Sequence, residues 1–223
     1  MSQLSACSVY VFDAYGTLFD VHAAVRKHEQ SLGPNAALLS EIWRNKQLEY
    51  SWVRSLMGKY RDFWTLTEEA LDYAFAKVPD ADMSKRTDLL DAYFALEAYP
   101  EVRSVLERLK AQGNELAILS NGSPDMLKAA VEGNGLTDLL DHVLSVDELR
   151  TYKTAEAVYE LVGTVFRAFP EAVSFQSSNR WDIAGATAYG FRTVWINRTG
   201  QPDEYGDLSP AAQLKDLEGL LLL

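Results

Sequence analysis

The sequence predicts an α/β fold, a parallel, doubly wound sheet interrupted early by an inserted helical bundle. Three observations carry that prediction. From residue 100 onward, short apolar runs alternate with helical stretches, the pattern that lays helices over a parallel sheet. Residues 21–98 instead show consecutive helical periodicities with no strand between them, which suits a bundle. One further apolar run, Val9-Tyr10-Val11-Phe12, stands before that bundle, cut off from the other strands.

That first run reads as a buried strand ending on Asp13, followed by Ala14-Tyr15-Gly16. An aspartate at the carboxyl end of a first strand sits where open α/β sheets bind ligands, and Gly16 permits a tight turn. Taken alone, Asp13 could equally start a turn or cap a helix. A helix is expected over 21–32. Leu38, Leu39, Ile42, Trp43, Tyr50, Val53, Leu56 and Met57 then recur at three- and four-residue steps as one long amphipathic helix. Further helices are expected over 62–77 and 83–96. Pro100 opens a helix to about residue 112, which Gly113 closes. A buried strand over 115–119 ends on Ser120-Asn121-Gly122-Ser123-Pro124. A weaker strand at 142–145 precedes Tyr152-Lys153, then a helix over 155–166. A fourth strand over 172–175 ends on Gln176-Ser177-Ser178-Asn179-Arg180-Trp181-Asp182, a helix runs over 183–189, and a fifth strand covers 193–196. The expected division is residues 1–20 and 99–223 as the α/β core and 21–98 as a helical cap.

A chain of 223 residues can bury one sizeable core with a second small domain inserted, and 48% hydrophobic with 24% charged residues is a globular composition. The net charge of -11 argues against nucleic-acid or anionic-membrane partners. No apolar run reaches membrane-spanning length, and residues 1–6 lack the basic start of a secretory signal, so a cytoplasmic protein is expected. The single cysteine, Cys7, lies beside the first apolar run and reads as core packing. No Gly-x-Ser-x-Gly occurs, and His22, His28 and His142 have no evident serine partner, which argues against a serine triad.

In a parallel sheet every strand points the same way, so Asp13, Ser120-Asn121, Lys153 and 177–182 should emerge at one edge. Each cluster by itself suits turn chemistry, a solvated charge or a helix-dipole acid. Collected at one end, they read as a site.

The stretches Phe12-Asp13-Ala14-Tyr15-Gly16-Thr17-Leu18-Phe19-Asp20, Leu119-Ser120-Asn121-Gly122-Ser123, Tyr152-Lys153 and Ser177-Ser178-Asn179-Arg180-Trp181-Asp182 resemble the four motif regions of the haloacid dehalogenase superfamily, specifically its 2-haloacid dehalogenase branch. The likeness extends through the segment from Trp43 to Tyr50. It implies a Rossmann-like core with a helical cap, a homodimer, and metal-independent hydrolysis of short (S)-2-haloalkanoic acids with no cofactor. Phosphatase relatives resemble Asp-x-Asp at the first motif and carry an additional metal-holding acid in the last. Here Tyr15 takes the second-acid position and Ser178 stands four residues before Asp182. A departing halide needs no proton, whereas phosphoryl transfer needs its charge neutralised and its leaving oxygen protonated, so both changes fit one chemistry.

The resemblance implies Asp13 as nucleophile on the halogen-bearing carbon. Lys153 is expected to hold it ionised through opposite charge. Ser120 and Asn121 would bind the substrate carboxylate and departing halide, Asn179 and Asp182 would orient and deprotonate water, and Thr17, Ser177 and Tyr159 would fix these groups. Arg44, off the apolar stripe with Leu48 one turn on, reads either as a surface pair with Glu41 or, with the likeness, as a halide receptor. Tyr15, Leu48, Phe63 and Trp181 would form the apolar wall, and Asn45 stands where relatives commonly have glutamine. Thr154 stands where relatives usually have proline. A metal-dependent small-molecule phosphatase and a noncatalytic binding member are the alternative readings.

Overall fold

The computed structural model describes residues 7–223; the reading of residues 1–6 lies outside them. Six parallel strands form one sheet in the order β3-β2-β1-β4-β5-β6. They are β1 (Val9–Phe12), β2 (Glu115–Ser120), β3 (His142–Ser145), β4 (Val173–Ser177), β5 (Arg192–Ile196) and β6 (Ala212–Leu214). β1 lies between β2 and β4, with Phe12 opposite Ile118 on one side and Gln176 on the other. The chain therefore winds in both directions from β1, and the crevice at its carboxyl end is the switch point of the sheet. Both faces are covered, so β2 and β4 are buried almost throughout rather than alternating.

Between β1 and the core helix α6 (Val102–Ala111) lie α1 (Ala23–Lys27), α2 (Glu29–Leu32), α3 (Ala36–Met57), α4 (Phe63–Lys77) and α5 (Arg86–Phe94). α3 and α4 pack along their length, and Trp43 Nε1 donates to the Thr67 carbonyl at 2.8 Å across that contact. Asp62 caps α4 by accepting from the Thr65 amide at 2.9 Å. α3 is the expected long helix, but Leu56 and Met57 on it stay exposed.

Several elements differ from the sequence expectation. The single helix over 21–32 is two, broken at His28, because no apolar residue between Val25 and Leu32 holds a buried face through those two turns. The stretch over 83–96 begins as one 3-10 turn capped by Asp82 and becomes helical only at Arg86. Besides short 3-10 turns, one α-helix and one strand were not expected at all. α7 (Pro124–Gly133) follows β2 directly, started by Ser123 as cap and Pro124 in the first turn. β6 is three residues with a polar centre, Gln213, held by pairing with β5 rather than by an apolar run. The last helices are α8 (Glu156–Phe166) and α9 (Arg180–Tyr189), the second starting three residues earlier than its apolar pattern. Among the described residues no helix is long and apolar enough to cross a membrane. Cys7 is buried.

Candidate active site

The turn after β1 fixes the first group. Gly16 takes φ +94°, a left-handed conformation that favours glycine, and its amide reaches back to the Phe19 carbonyl at 2.7 Å. Leu18 and Phe19 both donate to the Ala14 carbonyl, so the chain doubles back at once and leaves Asp13 at the sheet edge, 5% exposed.

Three chain segments meet on that carboxylate. Thr17 Oγ1 donates to Asp13 Oδ2 at 2.9 Å, and Asn179 Nδ2 donates to the same oxygen at 2.8 Å. Lys153 Nζ donates to Asp13 Oδ1 at 3.0 Å and to Asp182 Oδ2 at 2.8 Å. Thr17 accepts from the Ser178 amide, which leaves its own hydrogen for Asp13. Ser177 accepts from the Asn179 amide at 3.1 Å and so shapes the turn that presents Asn179. Tyr159 donates its hydroxyl to Asp182 Oδ1 at 2.9 Å. Asn121 Oδ1 accepts from the Lys153 amide, tying the β2 turn to the lysine loop, where the Lys153–Thr154 peptide is cis.

Charge follows from burial. Lys153 has no exposed side chain, and burial by itself lowers its pKa; Asp13 and Asp182 override that and raise it above the usual lysine value. Asp182 goes the other way. Burial pushes it up to about 6, Lys153 opposes the rise, and the nearby Asp13 charge adds to it. The ammonium fills the space between two carboxylates that would otherwise require an added cation. Among the described residues no group of three or more His, Cys, Asp or Glu could hold a metal ion.

Across the cleft, Arg44 of α3 points at this cluster, with one Nη donating to the Tyr15 carbonyl at 3.2 Å and to Asn179 Oδ1 at 3.5 Å. It does not pair with Glu41, and no carboxylate pairs with it among the described residues. Leu48 is buried one turn further along. Tyr15 lies between Phe63, 6.1 Å away, and Tyr93, stacked at 5.9 Å. Burial pushes the Tyr15 hydroxyl well above its usual range, so it stays protonated. Ser120 accepts from the Gly122 amide; its hydroxyl hydrogen and Asn121 Nδ2 have no partner among the described residues, so both can donate to an anion.

Two expected wall residues are placed differently. Asn45 is exposed, 100° round the helix from Arg44, and is not brought into the cluster. Trp181 packs edge-on against Trp52 at 5.2 Å and lines a cavity of about 850 Å³ whose lining includes Lys153 and Tyr159 but not Asp13. Sequence reasoning missed Tyr93, which backs Tyr15, and two glycines. A Cβ on Gly122 would lie 2.6 Å from Tyr15 Cε2, and one on Gly185 would lie 2.6 Å from the Tyr159 hydroxyl and 2.8 Å from Thr154 Cβ. Gly122 stands inside the second motif stretch and Gly185 three residues past the fourth, with no indication in the sequence of what approaches either.

A family model described as haloacid dehalogenase-like hydrolase matches residues 7–190. (S)-2-haloacid dehalogenase 1 of Pseudomonas sp. (strain CBS-3) is 48% identical over 99% of this chain and 96% of its own. (S)-2-haloacid dehalogenase 4A of Burkholderia cepacia is 47% identical over 92% of this chain and 88% of its own. Among solved structures, the L-2-haloacid dehalogenase from Xanthobacter autotrophicus with chloropropionic acid covalently bound superposes with a TM-score of 0.85 and 37% identity, covering 96% of each chain.

The close approach at Gly122 gives a direct test of how tightly the wall is packed. Gly122→Ala should lower unfolding stability by about 1–3 kcal/mol in urea and displace the Tyr15 ring in a crystal structure, because stacked Tyr93 leaves that ring nowhere to yield. A wild-type midpoint with Tyr15 unmoved would contradict that packing.

Proposed function

The chain belongs to the haloacid dehalogenase-like hydrolases, and on that premise we propose that it hydrolyses short (S)-2-haloalkanoic acids to 2-hydroxy acids and halide through an ester on Asp13. The observation that carries this reading is the Asp13 carboxylate itself. It is buried, held by Lys153, Thr17 and Asn179, and followed at the second position by Tyr15 rather than an acid.

In the first step one Asp13 oxygen attacks C2 of the substrate from the side opposite the halogen. The carbon–halogen bond breaks, both its electrons leave with the halide, and the configuration at C2 inverts. Arg44 and the unspent donors of Ser120 and Asn121 receive the halide and the substrate carboxylate; Tyr15, Leu48 and Phe63 exclude water from the reacting carbon. In the second step water adds to Cγ of the Asp13 ester, and its proton passes to Asp182. The bond between Cγ and the ester oxygen then breaks, the leaving alkoxide takes the proton from Asp182, and the hydroxy acid departs carrying an oxygen that came from Asp13. The proton remaining on the new Asp13 carboxyl is released to solvent, which returns both carboxylates to their starting state. Asn179 and Lys153 hold the carboxyl oxygens as charge develops there, and Tyr159 and Ser177 keep Asp182 and Asn179 in register. Residues 21–98 act as the cap that closes the cleft, and residues 1–20 with 99–223 as the core. Exposed Val53, Leu56 and Met57 on α3 support a homodimer.

Halide release measured over fluoro-, chloro- and bromoacetate and both hands of 2-chloropropionate tests the assignment, with turnover expected for S and not for R. No release from any of them, or chelator-sensitive turnover of phosphomonoesters, would overturn it. The acid limb is a separate prediction. Asp182 must be ionised to take a proton, so the rate of ester hydrolysis should fall as pH drops through about 6 and level off above it. Asp182→Asn should slow that step by about 10²–10⁴-fold and let the ester accumulate in an intact-mass measurement. A rate that stays flat down to pH 4 would remove Asp182 as the base.

A further inference from the structure

Arg44 reaches the cleft from a helix of the inserted segment on a long side chain, and something must hold its guanidinium in place. Gln47, one turn further along α3 and 1% exposed, holds it from its own helix, with a shorter hydrogen bond than those to the Tyr15 carbonyl and Asn179. Its amide orientation is fixed by a chain of hydrogen bonds. Thr67 has one hydroxyl hydrogen and gives it to the Phe63 carbonyl at 2.7 Å, so it can only accept from Gln47 Nε2, 2.6 Å away. That turns Gln47 Oε1 toward Arg44, whose Nη1 donates to it at 2.8 Å. A reversed amide would set two donors against each other, since arginine cannot accept. Tyr93 adds a second donor to the same oxygen at 3.1 Å, and its ring is stacked on Tyr15 beside Asp13.

We propose that Gln47 is a positioning residue for halide departure, an inference that rests on the dehalogenase reading above. A neutral amide holds the guanidinium without spending its charge. A carboxylate at the same place would hold it equally well and cancel the positive charge meant for the leaving halide. Arg44 keeps its second Nη aimed at the cleft, and no carboxylate partners it among the described residues. Oriented in advance, that donor stabilises charge as it forms on the halogen without having to reorganise during the reaction.

The test separates positioning from packing by varying the leaving group. Gln47→Leu keeps the volume and removes all three hydrogen bonds of the amide; Gln47→Glu keeps the acceptor and adds the unwanted charge. Chloride leaves less readily than bromide and depends more on its receptor. In single-turnover halide release, both variants should therefore lose about tenfold or more on (S)-2-chloropropionate, with the bromo-to-chloro rate ratio rising at least about threefold. Equal losses on both substrates, or none, would overturn the proposal. A crystal structure of Gln47→Leu is the second arm. The Arg44 guanidinium should leave the Tyr15 carbonyl, and finding it in place would reject the inference even if the wild-type protein released no halide from any substrate. Should Gln47→Leu fail to fold, Tyr93→Phe removes one of the hydrogen bonds to Gln47 and should shift the same ratio in the same direction by less; an unchanged ratio would count against the proposal.

Discussion

Lys153 Nζ stands 3.0 Å from Asp13 and 2.8 Å from Asp182, with all three side chains out of solvent, and the rest of the molecule has to accommodate that arrangement. Removing an ammonium and two carboxylates from water carries a desolvation cost of several kcal/mol per ion, which is recovered only if geometry is good and the remaining lone pairs are satisfied. Here they are: Thr17 and Asn179 serve the free oxygen of Asp13, and Tyr159 serves that of Asp182. Two acids with one cation leave the cluster short of positive charge. That shortage is why burial and Asp13 together lift Asp182 to about 6 against the pull of Lys153, and it is what makes the same residue fit to take a proton near neutrality.

Such a cluster needs a scaffold that brings distant segments to one place without flexibility. The parallel sheet supplies it, because β1, β2 and β4 end side by side and each delivers its polar turn to the same crevice. Glycines let the pieces close. Gly185 allows α9 to lie against Thr154 and Tyr159, so that Asp182 in its first turn meets the lysine. The helices inserted after β1 then add what the sheet edge lacks, a cation with no acid of its own and two rings, Phe63 and Tyr93, packed on Tyr15.

Much of this was legible in the sequence, for identifiable reasons. Buried parallel strands are nearly continuous apolar runs bounded by Gly, Pro and polar turns, so β1, β2, β4 and β5 and the residues at their carboxyl ends stood out by pattern, while β3, half exposed, gave a weaker one. Elements held by pairing or by caps were not: β6 has no apolar run, and α7 depends on Ser123 and Pro124, which read equally well as part of a turn. Within the site, position on a strand end was predictable and position on a helix was harder. Asn45 sits next to Arg44 in the chain but 100° away around α3, whereas Gln47, three residues on, shares the Arg44 face and its hydrogen bonds. Trp181 belongs to the correct motif yet turns toward Trp52. Sequence neighbours are thus a poor guide to which helical side chains share a cleft.

The central claim is that an oxygen of Asp13, held by Lys153, Thr17 and Asn179, bonds transiently to the substrate carbon. A single turnover in heavy-oxygen water with enzyme in excess tests it most directly. The account predicts a 2-hydroxy acid whose new oxygen is unlabelled, with the label found in the Asp13 peptide; label in the product of that first turnover would mean that water attacks the carbon itself and would contradict it.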